Sequence, residues 1–436
     1  MIRNDLFVIS WSINRLIWFY KYHPKVAGKT AILYYITIGS YLLLVKQFSL
    51  SIGERVDLYV GDLLFIVLVS MVIYKIIKQD YPLCVWGRGI NLVLFTYIVY
   101  MMALPFIGFL FVFQSIGVLI PYLRQFQMFL IFPITATLVE KNEIHVKQVA
   151  IILLITAFLN ALVSIWSVNN LAKPIELINT NWGFRRAAGL YGEGIAWLGT
   201  SMAITFIFGS TTLFGNKVPN HISFAIMIFS GLSLILSVSI TSLIMVIPVI
   251  VFVFMVLMVR QPTLRPLLPA ATLLVLTPVL SVSDLLYGRV LNFLSLFSGD
   301  LGAVSSLNAR LVRWSELLHI FVDKYFPFGT IIPYIYEYDA VADGYYISLI
   351  LQGGIPLVTM YILLHMVLMF YGIREYFYSK SNVKDLSALV ALSSMSVLLG
   401  SFTTAIMGYP PTSLLIWVII GIGFGFFESR RYYVHV

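Results

Sequence analysis

Long apolar stretches separated by short charged links set the rhythm of this chain. A membrane span needs roughly 20 apolar residues. Stretches of that kind run over 31–50, 60–76, 91–111, 117–139, 148–167, 195–214, 222–238, 240–259, 266–282, 345–370, 386–406 and 411–427. They predict an all-α polytopic membrane protein with about twelve transmembrane helices, one integral membrane domain over 1–436. The segment 5–20 carries Leu6, Phe7, Ile9, Ile13, Leu16 and Ile17 but is interrupted by Asn14 and Arg15, which suits a helix lying in the interface. Two polar stretches break the rhythm, 168–194 and 283–344. In the longer one, Asn308 reads as the N-cap of an amphipathic helix at 309–322. That helix is expected to lie on the outer membrane surface. Arg310 and Arg313 would share a face extended by Leu317 and turned toward the bundle, with Trp314 and Phe321 at the interface. Further on, Gly353-Gly354-Ile355-Pro356 is expected to break or kink the tenth span.

Composition agrees with lipid as the solvent. Of 436 residues, 60% are hydrophobic and 11% charged, against about 25% charged in soluble domains. The formal charge of +9 would suggest nucleic acid in a soluble protein. Here the lysines and arginines fall on alternate sides of the spans, so the excess reads as orienting charge and no nucleic-acid partner is expected. One side receives Arg15, Lys21, Lys25 and Lys29, then Lys75, Lys78 and Arg88, then Lys141 and Lys147, Lys217, Arg260 and Arg265, then Arg374, Lys380 and Lys384, and last Arg430 and Arg431. By the positive-inside bias that side is cytoplasmic and holds both termini. The lone Cys84 excludes an intrachain disulfide and a thiolate metal cluster. No short apolar run is followed by a small-residue cleavage site.

The same alternation puts both polar loops outside, and there they hold Arg185, Arg186, Arg289, Arg310 and Arg313. Arginines on that face run against the orientation bias, and an anionic substrate is the leading explanation. Arg185 and Arg186 come before Gly189, Gly192 and Gly194 and then a span. Glycines allow close approach, and a helix N-terminus favours anions. Arginine's planar fork fits phosphate and keeps its charge. Snorkelling to outer-leaflet headgroups, or anionic-lipid binding by the loop helix, would also accommodate such residues. Glu193 is either a base or a neutraliser of an arginine. Asp343, at the mouth of the tenth span, either takes a proton from a sugar hydroxyl or pairs with an arginine. Tyr345 and Tyr346 either stack on a sugar ring or belong to the aromatic belt. Arg124 in the fourth span is the clearest mid-span charge.

Three pieces in order resemble the superfamily of O-antigen polymerases and O-antigen ligases. They are Arg186 to Gly194 ahead of a span, Arg310-x-x-x-Trp314 followed by Pro327-x-Gly329, and Asp343 with Tyr346-x-x-Leu349 and Gly354-Ile355-Pro356. Ligases of that superfamily usually carry a histidine where this chain has Asp343-Gly344, so the likeness is closer to Wzy-type repeat-unit polymerases. The resemblance implies a bundle related to glycosyltransferases that use lipid-phosphosugars (GT-C-like). It implies a metal-independent, cofactor-free reaction in the bacterial inner membrane, with its site on the periplasmic face. Donor and acceptor would be glycans on undecaprenyl diphosphate, and a chain-length regulator would be a partner. On that basis Asp343 and Glu193 are the catalytic candidates. Arg186 and Arg310 are the diphosphate ligands, supported by Arg185, Arg289 and Arg313. A ligase moving a finished glycan to an acceptor, and a transporter or flippase for lipid-linked sugar, are the alternatives.

Overall fold

The computed structural model describes residues 28–43, 49–51, 57–78, 88–112, 116–168, 189–191, 195–237, 239–260, 305–329, 344–378, 384–404, 407 and 409–434. The interfacial segment 5–20 and the span expected at 266–282 lie outside the described residues. So do Arg185, Arg186, Glu193, Arg289 and Asp343.

Helices follow the apolar stretches closely. They are α1 (Lys29–Leu43), α2 (Val60–Lys78), α3 (Arg88–Val112), α4 (Ile116–Glu140), α5 (Val146–Val168), α6 (Ile195–Thr212), α7 (Asn220–Ser237) and α8 (Ile240–Arg260). After them come the loop helix α9 (Ser305–Ile320), then α10 (Tyr345–Tyr378), α11 (Lys384–Gly400) and α12 (Pro410–Val434). A small antiparallel hairpin, β1 (Ser49–Ser51) with β2 (Asp57–Tyr59), joins α1 to α2. Among the described residues, five helices are long and apolar enough to cross a membrane: α2, α5, α7, α10 and α12. Outward residues of the bundle are large and apolar. Ile66 and Ile77 on α2 and Leu92 and Phe95 on α3 are each more than half exposed, which would be costly in water and is neutral against acyl chains. The chain is therefore a helical, multi-pass membrane protein.

At the centre is α12, whose apolar window 410–427 is 94% buried. It can pack so closely because its glycines present no side chain. A Cβ on Gly421 would come within 2.7 Å of Thr135, and one on Gly425 within 2.5 Å of the Ala136 carbonyl, both on α4. Such small-residue contacts are a main source of helix adhesion in lipid, where there is no hydrophobic drive between helices. Buried hydroxyls add to it. Thr412 of α12 bonds both Thr200 and Ser201 of α6, each at 2.8 Å.

Contacts between helix ends obey the charge alternation. At one end Lys75, closing α2, pairs with Glu143 in the turn after α4 at 2.6 Å. Lys217 in the turn after α6 sits over the Phe426 ring at 4.7 Å, and Gly215 abuts Asp385 at the start of α11. Turns expected to share a face are thus neighbours in space.

Candidate functional site

The opposite end gathers the described part of the expected site. α9 begins at Ser305, so Asn308 lies in its first turn and does not cap it. A π-turn over Phe321–Tyr325 continues the helix. Rather than lying on the outer membrane surface, α9 runs beside the first turns of α10 in the same direction. The Trp314 ring lies on Gly344, where an added Cβ would come within 2.9 Å of it. Leu317 and Phe321 pack with Ile347 and Leu351 one and two turns further on. This revises the expected placement of two aromatic residues. Phe321 is buried and Trp314 partly so, both against α10 rather than at the interface. The helical period explains it, because 314, 317 and 321 form one stripe.

Arg310 faces inward as expected. Its Nη1 donates to the Thr403 carbonyl at 3.1 Å, in the turn between α11 and α12. Arg313 departs from that face. It is exposed and pairs with Glu316 at 3.3 Å on the outer side of α9. Residues three apart diverge by about 60° around a helix, enough here to put one inside and one outside.

Below Arg310, two of the motif pieces form a single joint. At Gly354 the backbone leaves the helix, with φ 71° and ψ −165°, and the expected kink is there. The amide of Ile355 donates to the Pro327 carbonyl at 2.9 Å rather than to its own helix. Gly329 has φ +76°, and a Cβ on it would come within 2.7 Å of the Gly354 nitrogen. The Gly353 carbonyl, which has lost its usual helical surroundings, accepts from the Tyr100 hydroxyl of α3 at 2.9 Å. Pro327-x-Gly329 and Gly354-Ile355-Pro356 are therefore the two halves of one backbone contact.

Tyr345 is buried, donates its amide to the Ser401 carbonyl at 2.8 Å and meets the Tyr361 ring edge-on. It lines a narrow cleft of about 20 Å³ with Tyr97, Gln125, Phe129, Met407 and Trp417, room for roughly one water. Tyr346 is half-buried, with its hydroxyl on the Leu398 carbonyl at 2.8 Å and its ring against Phe402. In the first polar loop, Gly189–Tyr191 form one 3-10 turn. Gly189 has φ +59°, and a Cβ there would come within 2.5 Å of the Asn160 Oδ1, which accepts from the Leu190 amide at 3.0 Å. At least this glycine serves packing. Tyr191 is fully buried, which pushes its phenol pKa up.

Sequence reasoning missed a second polar cluster. Arg124 of α4 pairs with Asp62 of α2 at 2.9 Å, and its guanidinium lies 4.2 Å from the Tyr59 ring centroid. Asp62 also accepts from the Tyr41 hydroxyl at 2.6 Å and from the Tyr59 amide at 3.0 Å. Gln127 donates to Tyr41 at 2.6 Å. The sequence puts Asp62 and Arg124 near the same end of α2 and α4, but that the two helices touch is seen only in the fold. His365, buried in α10, gave no signal in the sequence. It stacks on Trp417 at 5.6 Å, and neither ring nitrogen has a hydrogen-bond partner among the described residues.

Among the described residues no group of three or more His, Cys, Asp or Glu is placed to hold a metal. Fold and site together define a polytopic helical membrane protein with an arginine-bearing loop helix docked on one of its spans. A comparison with protein-family models gives no match, and a comparison with curated proteins gives none either.

Proposed function

We propose that this protein is a glycosyltransferase that polymerises lipid-linked oligosaccharide repeat units at the outer face of a bacterial inner membrane. The donor is a glycan on undecaprenyl diphosphate and the acceptor is the next lipid-linked unit. The acceptor hydroxyl attacks the anomeric carbon, and the diphosphate lipid leaves. Fixed guanidinium groups stabilise the charge that develops on the leaving group. In this reading Arg186 and Arg310 hold the diphosphate, with Arg185 and Arg289 around them, while Arg313, paired with Glu316 on the outer side of α9, stands apart from the group. Asp343 is the first base and Glu193 the second.

The observation that supports the reading is the placement of Arg310. It sits on the inward side of a helix that is itself docked, through Pro327 and Gly354, at the mouth of the span that Asp343 precedes by two residues. Two motif pieces that lie apart in sequence, Pro327-x-Gly329 and Gly354-Ile355-Pro356, thereby meet at one joint. The transporter alternative rested on charge within the spans, and its best case, Arg124, has a carboxylate partner in Asp62. The ligase alternative shares the chemistry and differs in acceptor. The test is the surface-glycan ladder of a strain lacking the protein. A single repeat unit attached to its acceptor supports a polymerase. Absence of attached glycan, with long lipid-linked chains accumulating, indicates a ligase and overturns the polymerase reading. An unchanged ladder overturns both.

A further inference from the structure

We propose that the Phe326-Pro327-Phe328 turn at the foot of α9 inserts into the acyl boundary of the bilayer and holds α9 upright, clear of the hydrocarbon. The argument comes from which residues of α9 and α10 are exposed, and at what level.

α10 has 34 residues, about 51 Å at 1.5 Å per residue, against a hydrocarbon core of about 30 Å. Part of it must stand outside the core. From Tyr345 to Gly354 not one residue is exposed, and the first exposed residue is Ile355. From there a lipid-facing row continues through Leu363 and Phe370 to Ile373. Ile355 to Ile373, the last exposed apolar residue before the exposed Arg374, spans about 27 Å, close to the core thickness. The upper edge of the hydrocarbon therefore falls near Ile355.

α9 gives the same level independently. Its outer face carries Arg313, Glu316, His319, Asp323 and Lys324, all exposed, with the exposed Val312 and Val322 set singly among them. Exposed ionisable groups of that number do not lie in hydrocarbon. Immediately after Lys324 the character reverses, because Phe326 is 65% and Phe328 58% exposed. Pro327, between them, is bonded to the amide of Ile355. The polar-to-apolar change on α9 and the start of the lipid-facing row on α10 thus fall at one height, tied by a hydrogen bond. Two exposed phenyl rings continuous with the lipid-facing row of α10 fit acyl chains. Asp323 and Lys324 balance in charge, so the contact is apolar and does not select headgroup charge.

The test uses the full chain, with Cys84→Ser, in phosphatidylcholine nanodiscs. Nitroxides are placed in turn at Phe326→Cys, Phe328→Cys, Val312→Cys and His319→Cys, with Ile355→Cys as the lipid control. At 326, 328 and 355 collision with oxygen should exceed collision with a water-soluble nickel chelate. At 312 and 319 the order should reverse. Oxygen preference at 312 and 319 as well would mean that α9 lies flat on the membrane and overturns the proposal. Chelate preference at 326 and 328 would overturn it too. So would exclusion of both reagents with dipolar coupling between labels, which would make a second copy of the chain the occupant. The unmodified chain supplies a check free of substitutions. A phosphatidylcholine with a diazirine near the top of its acyl chain should add to the peptide holding 326–328. Adducts on α2 and α10 without one on that peptide would contradict the insertion.

Discussion

Replacing Gly354 with alanine should detach the loop helix without unfolding the bundle. Two effects act at this position. The backbone conformation, φ 71° with ψ −165°, belongs to a region that only glycine occupies readily, and holding another residue there costs on the order of 1–3 kcal/mol. The new Cβ would also come within 1.9 Å of the Pro327 carbonyl, so the turn at 326–329 must retreat. Retreat breaks the bond from Ile355, and a buried amide left unsatisfied costs about 1–3 kcal/mol. Together the loss is about 2–6 kcal/mol, enough to undock α9, whose apolar hold on α10 is confined to Leu317, Phe321 and their neighbours. Hydrogen exchange in detergent or nanodiscs should show faster exchange across 317–329 and 351–356, with α4 and α12 still protected. Gly39→Ala is the control, because nothing lies within 4 Å of its new Cβ and alanine is the better helix former. Unchanged protection of 317–329 in Gly354→Ala would refute the claim that this joint holds the loop helix.

Four further outcomes are expected. Asp62→Ala and Arg124→Ala should each cost about 3–5 kcal/mol, as broken buried pairs do; the thermal unfolding midpoint of the pair Asp62→Leu with Arg124→Met should fall by less than the two single losses added, and additive losses would show that the groups are not coupled. Arg310→Lys should slow polymer growth by about one to two orders of magnitude, because lysine keeps the charge but not the fork; normal polymer length and rate in Arg310→Ala would leave it a structural role. Asp343→Asn should nearly stop polymerisation while protein level persists, since a general base contributes about 10²–10⁴-fold; normal polymer from Asp343→Asn with none from Glu193→Gln would move the base to the first loop. Cysteines at Thr180 and Ser305 should react with an impermeant thiol reagent in cells with an opened outer barrier, and Cys84 or a cysteine at Lys380 should not; the reverse pattern would invert the topology.

Much of the fold was legible because lipid makes the code simple. Spans must be long, apolar and helical, so the edges of α2, α5 and α7 fall within a few residues of the apolar runs, while α10 continues eight residues past its run, to Tyr378 against 370. The kink was legible from Gly354 and Pro356, whose backbone limits are local. What fixes the kink was not, because the bond from Ile355 to Pro327 joins residues 28 apart in sequence. Arg313 was misjudged for a different reason. A spacing of three permits a shared face but does not require one when Glu316 offers a partner on the outside. Asp62 was passed over as a span-mouth residue, although its partner Arg124 had been singled out. Reading the two together required knowing that α2 and α4 touch.

That pair also constrains how the chain is made. Asp62 emerges from the ribosome 62 residues before Arg124, with all of α3 synthesised between them. A lone aspartate at the centre of a span costs about 2.5–3.5 kcal/mol on insertion scales, less near its mouth. Until α4 arrives, the partners of that carboxylate among the described residues are the Tyr41 hydroxyl and the Tyr59 amide. The α1–α2 hairpin should therefore linger beside the insertion machinery, and settle into lipid only when Arg124 reaches it. A ribosome-bound chain stopped before residue 124 should crosslink to the translocation channel through α2, and one stopped well after it should not.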